Sequence, residues 1–305
     1  MSRVLLTGAS GFVGRHALDA LLDAGHEVHA VARQQPPERD GVAASVSWHV
    51  ADLTDPLALE HVAAGVGADA LVHLAWYVEH GSYWHSRENV VWVETTLRLL
   101  RAFVAAGGRR AVLAGTCAEY EWSGDRYDER SSPLVPATMY GVAKDATRRV
   151  AECLSADAEV ELAWARIFMP YGPHEGDRRL LSSVIAALLA GEQVAVSDGT
   201  QVRDFIYVED VARAFVAILD SSARGAINVG SGRGVEVGEL VRLAAGELGR
   251  PELVRWGELP QRADEPARLI ADVGRLSEDV GYSASIEPPE GVARTIAWWR
   301  ERVAS

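Results

Sequence analysis

Short runs of apolar and β-branched residues recur through the first half of the chain, at Arg3–Thr7, Glu27–Ala32, Val46–Val50, Asp69–Ala75, Arg110–Ala114 and Val160–Arg166. Segments with apolar residues at helical spacing separate them. That alternation predicts a doubly wound α/β fold, a parallel sheet joined by crossover helices. After the first strand, Ala17, Leu18, Leu21 and Leu22 fall on one helix face, and Gly25 supplies a left-handed stop. Two longer helical patterns, Glu88–Ala106 and Ala137–Leu154, carry apolar faces and are candidates for a homodimer seam. The second half is more mixed, with helices expected at Leu180–Ala190, Val237–Leu248 and Val292–Arg302, a strand at Val194–Ser197, and a strand-to-helix turn over Phe205–Leu219.

The first strand enters its helix through Gly8-Ala9-Ser10-Gly11-Phe12-Val13-Gly14. In that context the first glycine permits a tight turn, the second lets a pyrophosphate approach the backbone, and the third lets helix and strand pack closely. The helix N-terminal amides then face the phosphates. This predicts a dinucleotide-binding Rossmann domain over residues 1–166, with 204–228 returning to it. A smaller mixed α/β C-terminal substrate lobe is expected from 167–203 and 229–305. At the end of the second strand stands Ala32, where an NAD-preferring site offers an acid to the ribose, and Arg33 follows. A carboxylate there would repel a 2′-phosphate by at most about 4 kcal/mol at about 4 Å and an effective dielectric near 20, whereas a guanidinium attracts it. The expected cofactor is therefore NADPH/NADP. Asp52-Leu53, after the third strand, is placed to meet the adenine.

Tyr140 and Lys144 share a helical face at a four-residue spacing. A phenol with a reference pKa of about 10 needs a neighbouring cation before it exchanges protons near neutrality, and an ammonium can also reach ribose hydroxyls. Lys144 is the sole lysine among 30 Lys and Arg residues, and with 8 tyrosines in 305 positions that offset arises by chance about one time in forty. Thr116, at the carboxyl end of the fifth strand, can hydrogen-bond a substrate carbonyl.

A net charge of -13 with no Lys/Arg block argues against nucleic acid or a membrane surface as partner. No segment reaches the ~20 apolar residues of a membrane span, and Met1–Gly8 runs directly into a strand, so the cytoplasm is the expected location. Two cysteines, Cys117 and Cys153, give neither a disulfide framework nor a cysteine-based zinc site, and His80 and His85 offer no metal pattern.

Taken together, the glycine triplet, Asp52-Leu53, Leu74-Ala75, Thr116, Tyr140/Lys144 and the run Arg203-Asp204-Phe205-Ile206-Tyr207-Val208-Glu209-Asp210 resemble the extended short-chain dehydrogenase/reductase family, in its sugar-nucleotide epimerase, dehydratase and reductase branch. The resemblance implies that Arg203, and Arg262 ahead of an acidic, proline-containing turn, contact the diphosphate of a nucleotide-diphosphate sugar. Met169 stands where the family often has asparagine. Family dehydratases carry an Asp-Glu pair after the threonine, but Cys117-Ala118 stand here, which disfavours dehydration. Glu119, offset by one place, reads as structural or as a substrate hydrogen-bonding residue, and Trp76, Tyr77, His80, Tyr83, Trp84 and His85, crowded after the fourth strand, as walls of the sugar or base pocket. The stretch from Gly115 to Trp122 also resembles reductases acting at C4 of 4-keto-6-deoxyhexose nucleotides. The expected reaction is accordingly NADPH-dependent 4-ketoreduction, in which Tyr140 protonates the oxygen, Lys144 tunes it and Thr116 orients the carbonyl. Two alternatives stand beside it: an NAD-retaining 4-epimerase, and a non-catalytic NADP-binding regulator, a class that tends to lose the Tyr/Lys pair kept here.

Overall fold

A computed structural model describes residues 1–35, 46–260 and 265–304. The first strand, β1 (Arg3–Thr7), leads through the glycine loop into α1 (Phe12–Asp23), which buries Gly14, Ala17, Leu18 and Leu21, and the chain turns back at Gly25 with φ +80. Strands β2 (Glu27–Ala32) and β3 (Val46–Val50) extend the sheet on one side. A helix absent from the sequence reading, α2 (Pro56–Val66), follows. Its start is set by Asp55, whose carboxylate accepts from the Leu57 amide at 2.9 Å, with Pro56 in the first turn, and it ends at Gly67 in the left-handed region.

Next come β4 (Ala70–His73), α3 (Glu88–Ala105) and β5 (Arg110–Thr116). A 3-10 turn at Cys117–Glu119 leads to the short β6 (Arg126–Tyr127), then α4 (Met139–Asp157) and β7 (Glu161–Ile167). Helix α4 begins two residues later than its periodicity suggests, because the Thr138 hydroxyl caps the Gly141 amide at 3.1 Å, and it runs three residues further, to Asp157. The second half holds β8 (Met169–Tyr171), α5 (Leu180–Ala190), β9 (Val194–Ala195), β10 (Val202–Arg203), β11 (Phe205–Tyr207), α6 (Val208–Asp220), β12 (Gly225–Val229), β13 (Val235–Glu236), α7 (Val237–Glu247), β14 (Val254–Arg255), β15 (Arg268–Ala271), α8 (Gly274–Glu278) and α9 (Pro288–Ala304).

The main sheet is parallel throughout, in the order β12-β7-β5-β4-β1-β2-β3. Helices cover both faces, so its central strands are dry on both sides, and all seven residues of β5 are buried. One core lies under α1 and α6 and includes Leu18, Leu21, Val211 and Phe215; the other lies under α2, α3 and α4 and includes Leu59, Leu99, Phe103 and Trp164. A third gathers Val184, Ile185, Val241, Ile296 and Trp299 from α5, α7 and α9. The architecture is that of a Rossmann-like doubly wound α/β protein, with a small four-stranded sheet, β13-β10-β15-β6, beyond the carboxyl end of β5. Among the described residues no helix is long and apolar enough to cross a membrane.

Candidate active site

At the carboxyl end of β1, Gly8 has φ +75, and a Cβ there would stand 2.7 Å from the Ala75 amide nitrogen and 2.8 Å from the Leu74 carbonyl carbon. Leu74 and Ala75 therefore lie directly against the loop. A Cβ on Gly14 would come within 1.9 Å of the Gly8 carbonyl oxygen. Gly8 and Gly14 thus lock loop and helix together, while Ser10 and Gly11 stay exposed. No side chain caps the N-terminus of α1, so the amides of its first turn, from Phe12, Val13 and Gly14, are left for an anion. This cradle fits the pyrophosphate of a dinucleotide.

Arg33 leaves the end of β2 exposed, and Asp52 leaves the end of β3. The Asp52 carboxyl is held below its ordinary range by the amide and hydroxyl of Thr54, at 2.9 and 2.8 Å, with a further contribution from the Arg33 charge. Arg33 and Asp52 therefore flank one rim of the cradle. Leu53 turns inward and packs in the core beneath.

The three predicted catalytic residues meet at the end of β5. Helix α4 starts hard against the turn that follows the strand: a Cβ on Gly141 would lie 2.2 Å from the Ala118 carbonyl oxygen. That approach brings the Tyr140 phenol into hydrogen-bonding reach of the Thr116 side chain. Burial raises the phenol's pKa, with Tyr83, Cys117 and Glu119 adding to the rise and Thr116 opposing it. Lys144 also points inward and is 3% exposed. Its ammonium donates to the Ala114 carbonyl at 2.8 Å and sits 3.8 Å from the centre of the Trp76 ring. Burial lowers it to about 7, against the pull of Glu119. The two residues thus share a buried helix face, as their spacing predicts, but the hydrogen-bond partners differ from expectation: Tyr140 meets Thr116, and Lys144 meets the strand. The reason is that α4 runs along β5, so the long lysine stem reaches a backbone carbonyl one turn away from the phenol.

Glu119 takes the structural of the two roles its sequence allows, and Trp76 turns its face to the lysine. Glu119 has no exposed surface; its Oε1 accepts from the Thr116 amide and the Trp164 indole, each at 2.8 Å, and its Oε2 from Arg166 at 2.7 Å. It pins the end of β5 and neutralises a buried guanidinium. Burial alone would lower Arg166, but Glu119 and Tyr120 reverse that and raise it. Trp76 is 9% exposed, its face taken by Lys144 and its N–H donated to Asn89 Oδ1 at 2.9 Å. Two further members of the cluster after β4, Tyr83 and Trp84, stand edge-to-face with Tyr140 at 5.0 and 5.8 Å. Cys117 is a thiol driven up to about 12 by burial, Glu119 and Asp204, so it stays protonated at neutral pH.

Arg203 is brought close enough to act on Cys117 and Tyr127 electrostatically, yet is 4% exposed, with Nη1 on the Val202 carbonyl and Nη2 2.9 Å from Glu265 Oε1. Arg262 lies outside the described residues. The two aspartates of the Arg203–Asp210 run are structural. Asp204 accepts from the amides of Ser231, Gly232 and Ala271, and Asp210 from Tyr282, Ser285 and Ile286, tying the C-terminal segments to the main sheet. Asn89 was missed by the sequence reading, since a single asparagine in the first turn of a helix carries no signal of what it binds.

The pattern of the NAD dependent epimerase/dehydratase family matches residues 4–230. UDP-glucose 4-epimerase of Corynebacterium glutamicum is 28% identical over 306 residues, spanning 92% of this chain and 90% of that protein. UDP-glucuronic acid decarboxylase 1 of Xenopus tropicalis is 27% identical over 316 residues, spanning 99% of this chain and 73% of that one. Among solved structures, MoeE5 in complex with UDP-glucuronic acid and NAD superposes with a TM-score of 0.85 at 32% identity, covering 98% of this chain and 99% of the other.

Proposed function

The chain belongs to the NAD dependent epimerase/dehydratase family, within the extended short-chain dehydrogenases that modify sugar nucleotides, and from that premise we propose that it inverts C4 of a nucleotide-diphosphate sugar using a retained nicotinamide dinucleotide. The observation that carries this reading is the end of β5, where the Tyr140 phenol lies within reach of the Thr116 side chain and the Lys144 ammonium is held on the Ala114 carbonyl. Next to them stand a protonated thiol at Cys117 and an alanine at 118, with no free carboxylate to drive an elimination. One group that gives and takes one proton suits oxidation and re-reduction of one alcohol. Relatives named UDP-glucose 4-epimerase, and a neighbour holding NAD with a UDP sugar, support the same reading.

The glycine cradle would hold the pyrophosphate, and Lys144 the nicotinamide ribose. The bound nicotinamide supplies the hydride-transferring ring. Tyr140 moves the proton of the C4 oxygen, Thr116 orients that oxygen, and Tyr83 and Trp84 keep water from it. Arg203 would take the diphosphate on releasing Glu265. In the same proposal, a homodimer covers Val90 and Val91 of α3 and Val142 and Val150 of α4, which stand exposed on neighbouring helices.

The test is to denature the purified protein and assay the released cofactor, then to supply UDP-glucose, UDP-glucuronic acid and a 4-keto-6-deoxyhexose nucleotide in turn. Co-purifying NAD and epimer formation without net cofactor consumption are expected. Stoichiometric NADPH consumption with the keto sugar would replace this reading with 4-ketoreduction, which Arg33 beside Asp52 favours. On that second reading, Arg33→Ala weakens NADPH binding by about tenfold or more and leaves NADH binding within about twofold; equal effects on both would remove Arg33 from cofactor choice.

A further inference from the structure

We propose that Trp76, clamped by Asn89, is a positioning residue for Lys144: its ring face fixes the ammonium at the end of β5, and the same clamp ties that ammonium to the turn that covers Tyr140. The inference rests on the reading above that Lys144 holds a dinucleotide. Four contacts make the device. The ammonium lies 3.8 Å from the Trp76 ring centre, a short cation–π distance in a buried site. The indole cannot turn freely, because its N–H is spent on Asn89 Oδ1 at 2.9 Å. Asn89 has no exposed surface, and its amide donates to the carbonyls of Tyr83 at 2.7 Å and Ser86 at 2.9 Å. Every polar atom of that side chain is therefore in use, so it cannot move without breaking one of the three bonds.

The consequence is a mechanical link. Trp76 follows Leu74-Ala75, the pair pressed against the glycine loop, and Tyr83 and Trp84 cap the phenol. One buried amide thus sets the distance between the wall behind the lysine and the aromatic cap over the tyrosine. A lysine stem has four rotatable bonds, and a face to rest on removes much of that freedom before ligand arrives. The ionisable groups that interact with the ammonium are His73 on β4 and Glu119 in the turn after β5; Tyr140 and Asp145 share its helix, Asp145 being taken by Arg148, and Trp164 of β7 lies 6.0 Å away. His73 is pushed down to about 3 by burial and by Lys144 and stays neutral, so it does not compete for the proton.

The experiment first removes any co-purified dinucleotide, then compares Trp76→Phe with Trp76→Leu by calorimetric titration of NAD and of ADP across a pH series. ADP shares the pyrophosphate end of the dinucleotide but lacks the nicotinamide ribose. In the leucine variant, NAD binding is expected to weaken about tenfold while ADP binding holds within about twofold, and phenylalanine, which keeps an aromatic face, restores NAD binding to within about threefold. As pH rises through about 7 the ammonium loses its proton and NAD binding declines. That decline should move to lower pH in Trp76→Leu, because a cation without the ring's negative face gives up its proton more readily. Equal losses in the two variants, a parallel fall in ADP binding, or a decline that stays in place or moves upward would overturn the inference. Wild-type protein that binds ADP but no dinucleotide would overturn the functional reading as well, which separates the two failures.

Discussion

Tyr140→Phe should cost turnover a factor of about 10²–10⁴, the range for removing a positioned general acid or base, while NAD affinity and the Michaelis constant for the sugar nucleotide stay within about twofold. The substitution removes one oxygen and keeps the ring. The edge-to-face contacts with Tyr83 and Trp84, the main-chain bond from the Tyr140 amide to the Trp84 carbonyl and the start of α4 all survive. What disappears is the phenol hydroxyl that lies within reach of Thr116 at the end of β5. Because burial raises the phenol's pKa, Tyr140 rests in its protonated form in the free protein, and the oxidising half of an epimerisation needs that proton moved off the phenol before it can take the one on the C4 oxygen. Steady-state kinetics together with a binding titration separate the two effects. Turnover that survives the loss of this hydroxyl would take Tyr140 out of the chemistry.

Glu119→Gln should lower the free energy of unfolding by about 3–5 kcal/mol, the cost of removing one partner from a buried ion pair. The Arg166 guanidinium is fully buried and rests on Glu119 Oε2 at 2.7 Å, with the Tyr120 hydroxyl 3.0 Å away as its other side-chain contact. An amide carries no charge, and its NH₂ end turns a donor toward Arg166, Trp164 or the Thr116 amide, all of them donors already. Urea unfolding measures the loss. This result separates the two roles that the sequence allows for Glu119. A substrate contact would raise the Michaelis constant and leave unfolding within about 0.5 kcal/mol of wild type, whereas a structural anchor loses stability first and activity only as the end of β5 loosens.

Position 119 also shows where sequence reading reaches its limit. Its neighbours Thr116 and Tyr120 name a family stretch, but whether the carboxylate faces a ligand or a guanidinium depends on Trp164 and Arg166, which lie some forty-five residues further on and come alongside only when β7 pairs with β5. The two aspartates of the Arg203–Asp210 run behave alike. The most specific stretch of the chain holds its own architecture together, and its partners at Ser231, Ala271, Tyr282 and Ile286 are all remote in sequence.

The sequence alone determined the alternation of strands and helices in the first half apart from α2, the glycine cradle and the helical pairing of Tyr140 with Lys144. These are local: a period of hydrophobic residues, a turn that tolerates only glycine, and a four-residue spacing each carry their geometry within a few residues. Tertiary structure alone decided what those groups touch. It set Lys144 on the Trp76 face and the Ala114 carbonyl, withdrew Glu119 and Trp76 from the cleft, placed Tyr83 and Trp84 over the phenol and closed Arg203 onto Glu265. Those contacts join side chains from different strands and helices. Desolvation and pairing energies that exist only after the sheet has formed select among partners that no spacing along the chain distinguishes.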